Sequence, residues 1–170
     1  MGGLAAARFA SIATAAILMA SGAATALSCL PPNPAKDFNS FADSTDAYSF
    51  HAGRIEIAGP VPAFVDGTPR RAAGVLVGPS LTGSGLGPVA RQAIVIETRC
   101  VAHWCGGIPA TGSAGIFALR QEGPDRVLTL HACPTSTYQN DTPELRALLV
   151  RCLKAGRCSG TDEAAWSRLR

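Results

Sequence analysis

Residues 90–107 read ARQAIVIETRCVAHWCGG, and the fold turns on how this stretch is read. Its first half, 90–98, is a β-rich run. Its second half sets Cys100 and Cys105 around His103 and Trp104. Cysteine, histidine and tryptophan so close together suit a zinc set, a thiol redox centre or a pair of disulfide ends. Local spacing does not choose among these, so the compartment and the remaining cysteines must.

The chain opens MGGLAAARFASIATAAILMASGAATALSC, with Arg8 followed by an uncharged run from Phe9 to Cys29 that ends in small residues. This is the pattern of a secretory signal peptide over 1–28. The run is Ala, Ser, Thr and Gly rather than Leu and Ile, and PPNPAKDF follows in place of a basic stop-transfer cluster, so no stable membrane span is expected after processing. Small residues at −3 and −1 allow cleavage after Ala26 or after Ser28. Lipidation of Cys29 would want an aliphatic residue three positions earlier, where Ala26 stands. The expected location is secreted or periplasmic. All six cysteines (Cys29, Cys100, Cys105, Cys133, Cys152, Cys158) lie beyond the signal, and even parity in an oxidising compartment points to disulfides.

Removing 28 of the 170 residues leaves 142, enough for one domain with a core. Of the 15 basic residues only Arg8 lies in the signal, so 14 face 12 acidic ones. With only Arg70 and Arg71 adjacent there is no basic stripe, which argues against nucleic acid as a partner.

Along the mature chain, NPAKDFNSFADS predicts a short helix, with Asn33 as cap, Pro34 in the first turn, and Phe38 and Phe41 on one face. The period then changes. YSFHAGRIEIAG (48–59) alternates as a strand, AAGVLVG (72–78) and ARQAIVIET (90–98) are further strands, and PSLTGSGLGP between them reads as a loop. GIFALRQ (115–121) and RVLTLHA (126–132) bracket Glu122–Asp125, a hairpin signal. DTPELRALLVRCLKAG predicts an amphipathic helix with Asp141 or Thr142 as cap, Leu145, Leu148, Leu149, Cys152 and Leu153 on one face, and Gly156 as the stop. Residues 159–170 form a C-terminal tail with room for more helix. The expected class is mainly β: a five-stranded, OB-like, closed or nearly closed barrel over 29–158, flanked by these two helices. Its expected core is Ile55, Ile57, Val75, Val77, Ile94, Ile96, Phe117, Leu119, Val127 and Leu128 or Leu130, covered by Leu145, Leu148 and Leu149.

The chemical motifs are sparse. WCGGIP has Ile108 where a thioredoxin-type pair needs its second cysteine. Cys100, His103, Cys105, His131 and Cys133 lack the knuckle spacing of a zinc set. No Gly-x-Ser-x-Gly, His-Glu-x-x-His or phosphate-binding glycine loop accompanies His51, His103 or His131, and Thr135–Thr137 read as a turn. The chain is therefore not read as an enzyme, and no cofactor is expected.

One arrangement is informative. CLPPNPAKDFNSFAD, the first strand FHAGRIE, WCGG after the third strand, VLTLHAC, and a cysteine-bearing final helix together resemble the netrin-like module. That OB-type barrel is shared by tissue inhibitors of metalloproteinases, netrin C-terminal domains and complement C-terminal domains. The resemblance spans about Cys29 to Cys158 and implies that Cys29 bonds to Cys105 and Cys100 to Cys133, with Cys29–Cys100 and Cys105–Cys133 as the alternative. Cys152 and Cys158 remain, and Gly156 between them lets the chain turn back. It also implies an inhibitor mechanism, in which the amine and carbonyl of Cys29 chelate the zinc of a secreted protease and Leu30 sets specificity. Pro31 stands where the inhibitors carry their second cysteine. Three functions follow: a binding or protease-inhibitor module, a structural or envelope-interaction domain, and, well behind, a zinc or thiol enzyme.

Overall fold

The computed structural model describes residues 29–168. The signal segment 1–28 and its two cleavage sites lie outside the described residues. Helix α1 (Pro34–Ala42) starts where Asn33, in extended backbone, accepts hydrogen bonds at its side-chain oxygen from the Ala35 and Lys36 amides. Five long strands follow: β1 (Tyr48–Ile57), β2 (Arg71–Thr82), β3 (Gly85–Thr98), β6 (Ala114–Glu122) and β7 (Asp125–Leu130). Three short ones are β4 (Cys100–Val101), β5 (Trp104–Cys105) and β8 (Thr137–Tyr138). Helix α2 (Pro143–Ala155) is capped by Thr142 and stopped by Gly156 at φ 74°, and α3 (Gly160–Arg168) occupies the tail.

The fold is mainly β, and its long strands pair in a ring. β1 joins β2 and β2 joins β3, both antiparallel; β3 runs parallel to β7; β7 joins β6; and β6 returns to β1, pairing Ala118 with Phe50. Alternation along the strands then separates two apolar clusters. Ile55, Leu76, Ile94, Ile96, Phe117, Leu119, Leu128 and Leu130 fill the inside of the ring. Phe50, Ala52, Ile116 and Ala118, on the other face of β1 and β6, pack with Phe38, Tyr138, Leu145, Leu148 and Leu149. The helices thus cover the flank of the ring rather than its interior.

Two expectations change. Val75 and Val77 are only half-buried; Leu76, opposite Ile55, is the fully buried residue of β2. Three successive apolar residues hide the parity of a strand, and only the partner strand reveals it. The expected loop 79–88 is instead a hairpin, since β2 continues to Thr82 and β3 begins at Gly85. Just before it, β2 runs close against β1: a Cβ on Gly78 would lie 1.9 Å from the Ala52 carbonyl oxygen.

The disulfides are Cys29–Cys133, Cys100–Cys105 and Cys152–Cys158. The last is as expected, while both pairings considered for the other four are overturned. A two-residue turn at Ala102–His103 sets Cys100 directly opposite Cys105, which leaves Cys133 for Cys29.

Candidate functional site at the loop end of the ring

The strand directions make the two ends of the ring unlike. At one end β2 turns into β3 through Gly83–Ser84 and β6 into β7 through Gly123–Pro124. At the other end lie the connections 58–70 and 99–113 and the segment that leaves β7 after Leu130. The Cys29–Cys133 bridge brings the N-terminal strap to that same end. Backbone satisfied by tight turns leaves little to bind with; long connections offer side chains.

The strap is short and stiff. Pro31 and Pro32 restrict its φ angles, and Leu30, 89% exposed, projects ahead of them. Between the strap, α1 and α3 runs a groove of about 670 Å³ bordered by Leu30, Pro32, Cys133, Pro134 and Trp166. A second groove of about 560 Å³ opens onto Phe117 and Leu130, with His131, Thr137 and Gln139 on its walls. The sulfur of Cys29 is held by Cys133, so a thioether lipid and this bridge compete for one atom.

Loop 58–70 and the β4–β5 hairpin form one surface. The Arg70 amide donates to Thr98 Oγ1 at 2.8 Å, and the Thr98 amide donates to the Arg70 carbonyl, tying the loop to the end of β3. Arg70 also donates to the Pro62 carbonyl, and its guanidinium lies 5.3 Å from the centre of the Phe64 ring, a cation–π distance. The Thr68 carbonyl oxygen is 3.9 Å from Cys105 Sγ. Phe64, Val65, Val101 and Trp104 are exposed on this surface, and His103 lies against Trp104 with centroids 4.9 Å apart. Sequence reasoning passed over Phe64 and Val65, although apolar residues set among Pro60, Pro62, Gly67 and Pro69 without strand period are a legible sign of display.

The charged groups are mostly paired. Glu97, 7% exposed, lies 2.7 Å from Arg99 Nε and 3.3 Å from Arg71 Nε. Arg71 also bonds Glu122, and this pairing, together with that of Arg120, holds the Glu122 carboxyl below its usual range. The three histidines are distributed rather than gathered. His103 sits at the hairpin tip. His131 follows β7, its imidazole pushed below the usual value by burial and then by Arg99. His51 is inside the ring, where burial and then Arg126 lower it to about 4. Arg126 donates to Gln92 Oε1, which turns the Gln92 amide nitrogen toward His51 Nδ1 at 3.0 Å, so the ring proton is on Nε2 and meets Ser49 Oγ.

Among the described residues no group of three or more His, Cys, Asp and Glu side chains is placed to hold a metal, and no cysteine is free. What the arrangement offers is a partly apolar contact surface on disulfide-bridged segments. No family model matches the chain, and neither a curated protein nor a solved structure does.

Proposed function

We propose that this chain is an exported binding module that grips a protein partner with the loop end of its ring, in the manner of a protease inhibitor with an anchored N-terminus. The observation that carries this reading is the Cys29–Cys133 bridge, which pins an exposed strap at the same end of the ring as the exposed apolar side chains of two connections. Pinning lowers the ordering entropy lost on binding, so the contact is preorganised. The closed order of the long strands and the parallel β3–β7 pair support an OB-type barrel of the netrin-like kind. Three disulfides support folding in an oxidising compartment, and among the described residues no helix is long and apolar enough to cross a membrane.

In the sharper form of the proposal, cleavage after Ser28 frees the α-amine of Cys29, whose ordinary pKa of about 7.7–8.0 leaves part of it neutral at pH 7. That amine and the Cys29 carbonyl ligate the open position of a target zinc, and Leu30 enters the adjoining subsite. The test compares protein beginning at Cys29 with protein carrying one added alanine before it, against secreted zinc proteases. Inhibition by the first and not the second is expected. Equal potency of the two forms, or inhibition by neither, would sink the chelating mechanism, and Leu30→Glu checks the subsite contact separately.

A further inference from the structure

The β4–β5 hairpin is held differently from the other two disulfide sites. Cys152 and Cys158 are 1% and 4% exposed and belong to the core beneath α2. Cys29 leads into α1, and that element is tied down independently: Asn33 bonds to α3, and Asn39 bonds to both the amide and the carbonyl of Cys158. With the long bridge open, these contacts would keep α1 docked, so that only the few residues before Asn33 are freed. The hairpin has no such support. Its ladder is two residues per strand and belongs to no larger sheet, with the Gly106 amide bonded to the Arg99 carbonyl at its base. Its turn requires Ala102 at φ 53°, a region that L-residues with a Cβ rarely occupy. Opening the bridge therefore releases an unfavourable backbone at Ala102 in a hairpin that no larger sheet holds in shape.

We propose that Cys100–Cys105 is a thiol–disulfide exchange site, opened by a dithiol reductant outside the cytoplasm, and that opening it frees the Val101–Trp104 tip and the loop packed on it. The reductant's thiolate attacks Cys100 Sγ, and the Cys100–Cys105 bond breaks as a mixed disulfide forms. Cys105 leaves as a thiolate and takes a proton from water. The Thr68 carbonyl, 3.9 Å from Cys105 Sγ, is already placed to accept its S–H. The reductant's second thiol, deprotonated, then displaces Cys100, which also takes up a proton. Two electrons pass to the protein and the reductant becomes a cyclic disulfide. Loop 58–70, which meets the hairpin at Thr68 and leaves no more than a side chain's room between Gly67 and Ala102, loses one of its walls. This inference concerns the hairpin alone and stands whichever partner the loop end takes.

The experiment uses the folded, fully oxidised exported protein with limiting dithiothreitol as the probe, quenched by alkylation and read by peptide mass spectrometry. Alkylation at Cys100 and Cys105 is expected at least tenfold faster than at the other four cysteines. Trp104 fluorescence, isolated by Trp166→Phe, should shift with the same rate. Faster opening of Cys29–Cys133, or simultaneous opening of all three bridges, would overturn the proposal. Ala102→Gly accommodates the turn, so at a fixed dithiol ratio the reduced fraction of Cys100–Cys105 should fall roughly threefold. An unchanged or larger reduced fraction would show that the turn does not favour opening.

Discussion

Leu76 and its two valine neighbours show how much one residue's facing matters in a ring this small. Leu76 is fully buried against Ile55, so Leu76→Ala should cost about 2–5 kcal/mol, whereas Val75→Ala, on the half-buried face, should cost less than about 1.5 kcal/mol. Urea denaturation of the two variants measures the difference, and equal losses would place Leu76 outside the core. His51 makes a second prediction at this scale. Its folded pKa of about 4 lies below the ordinary 6.5, so the unfolded chain binds a proton that the folded chain does not. The stability this contributes is complete above pH 6.5 and is lost as the pH falls toward 4. The loss amounts to at most about 3 kcal/mol, because the ring keeps some contact with water. His51→Gln should flatten the stability profile between pH 6.5 and 4 relative to the unmodified protein; identical slopes would refute the assignment.

Among the elements, β1 and β2 are bound most closely by what their glycines omit. A Cβ at Gly78 meets the Ala52 carbonyl at 1.9 Å and one at Gly53 meets the Val77 carbonyl at 2.3 Å, so the two antiparallel strands press together where neither carries a side chain. Gly78→Ala should therefore destabilise by about 1–3 kcal/mol, with Gly107→Ala, which has nothing within 4 Å, as the neutral control. Thermal melts of both variants decide the point. Residues 79–88 mislead when read as a loop because a run rich in Gly, Ser and Pro normally marks a turn, yet here only Gly83 and Ser84 turn and the rest is strand paired between β2 and β3. The helices were easier to read. The Asn33 and Thr142 caps, the prolines after them and Gly156 act through groups only a few residues away, so their signals are written locally. The β4–β5 turn is the opposite case, because CVAHWC contains no Asn-Gly or Asp-Gly to announce a two-residue hairpin.

For the whole molecule, ring closure and the bridges act together on the loop end. Cys29 and Cys133 are 104 residues apart, so Cys29→Ala with Cys133→Ala should lower stability by about 5 kcal/mol through loop closure in the unfolded chain. Cys100→Ala with Cys105→Ala, across 5 residues, should lower it by only about 2 kcal/mol. Equal shifts in denaturation midpoint at unchanged slope would show that the long bridge does not hold the strap as described. By itself the sequence determined what depends on neighbours along the chain: a mainly β domain, its two capped helices, the Glu122–Asp125 hairpin, the Cys152–Cys158 turn-back, and even-numbered cysteines suited to pairing. Only the tertiary structure decided which face of β2 is inside, that Cys133 rather than Cys105 holds Cys29, and that Leu30, Phe64 and Trp104 are displayed at the same end. The facing of β2 and the shared end depend on strand pairings between residues far apart in the chain, β2 on β1, β7 parallel to β3 and β6 returning to β1, while the cysteine pairing follows from a turn at Ala102–His103 that no local turn signal announces.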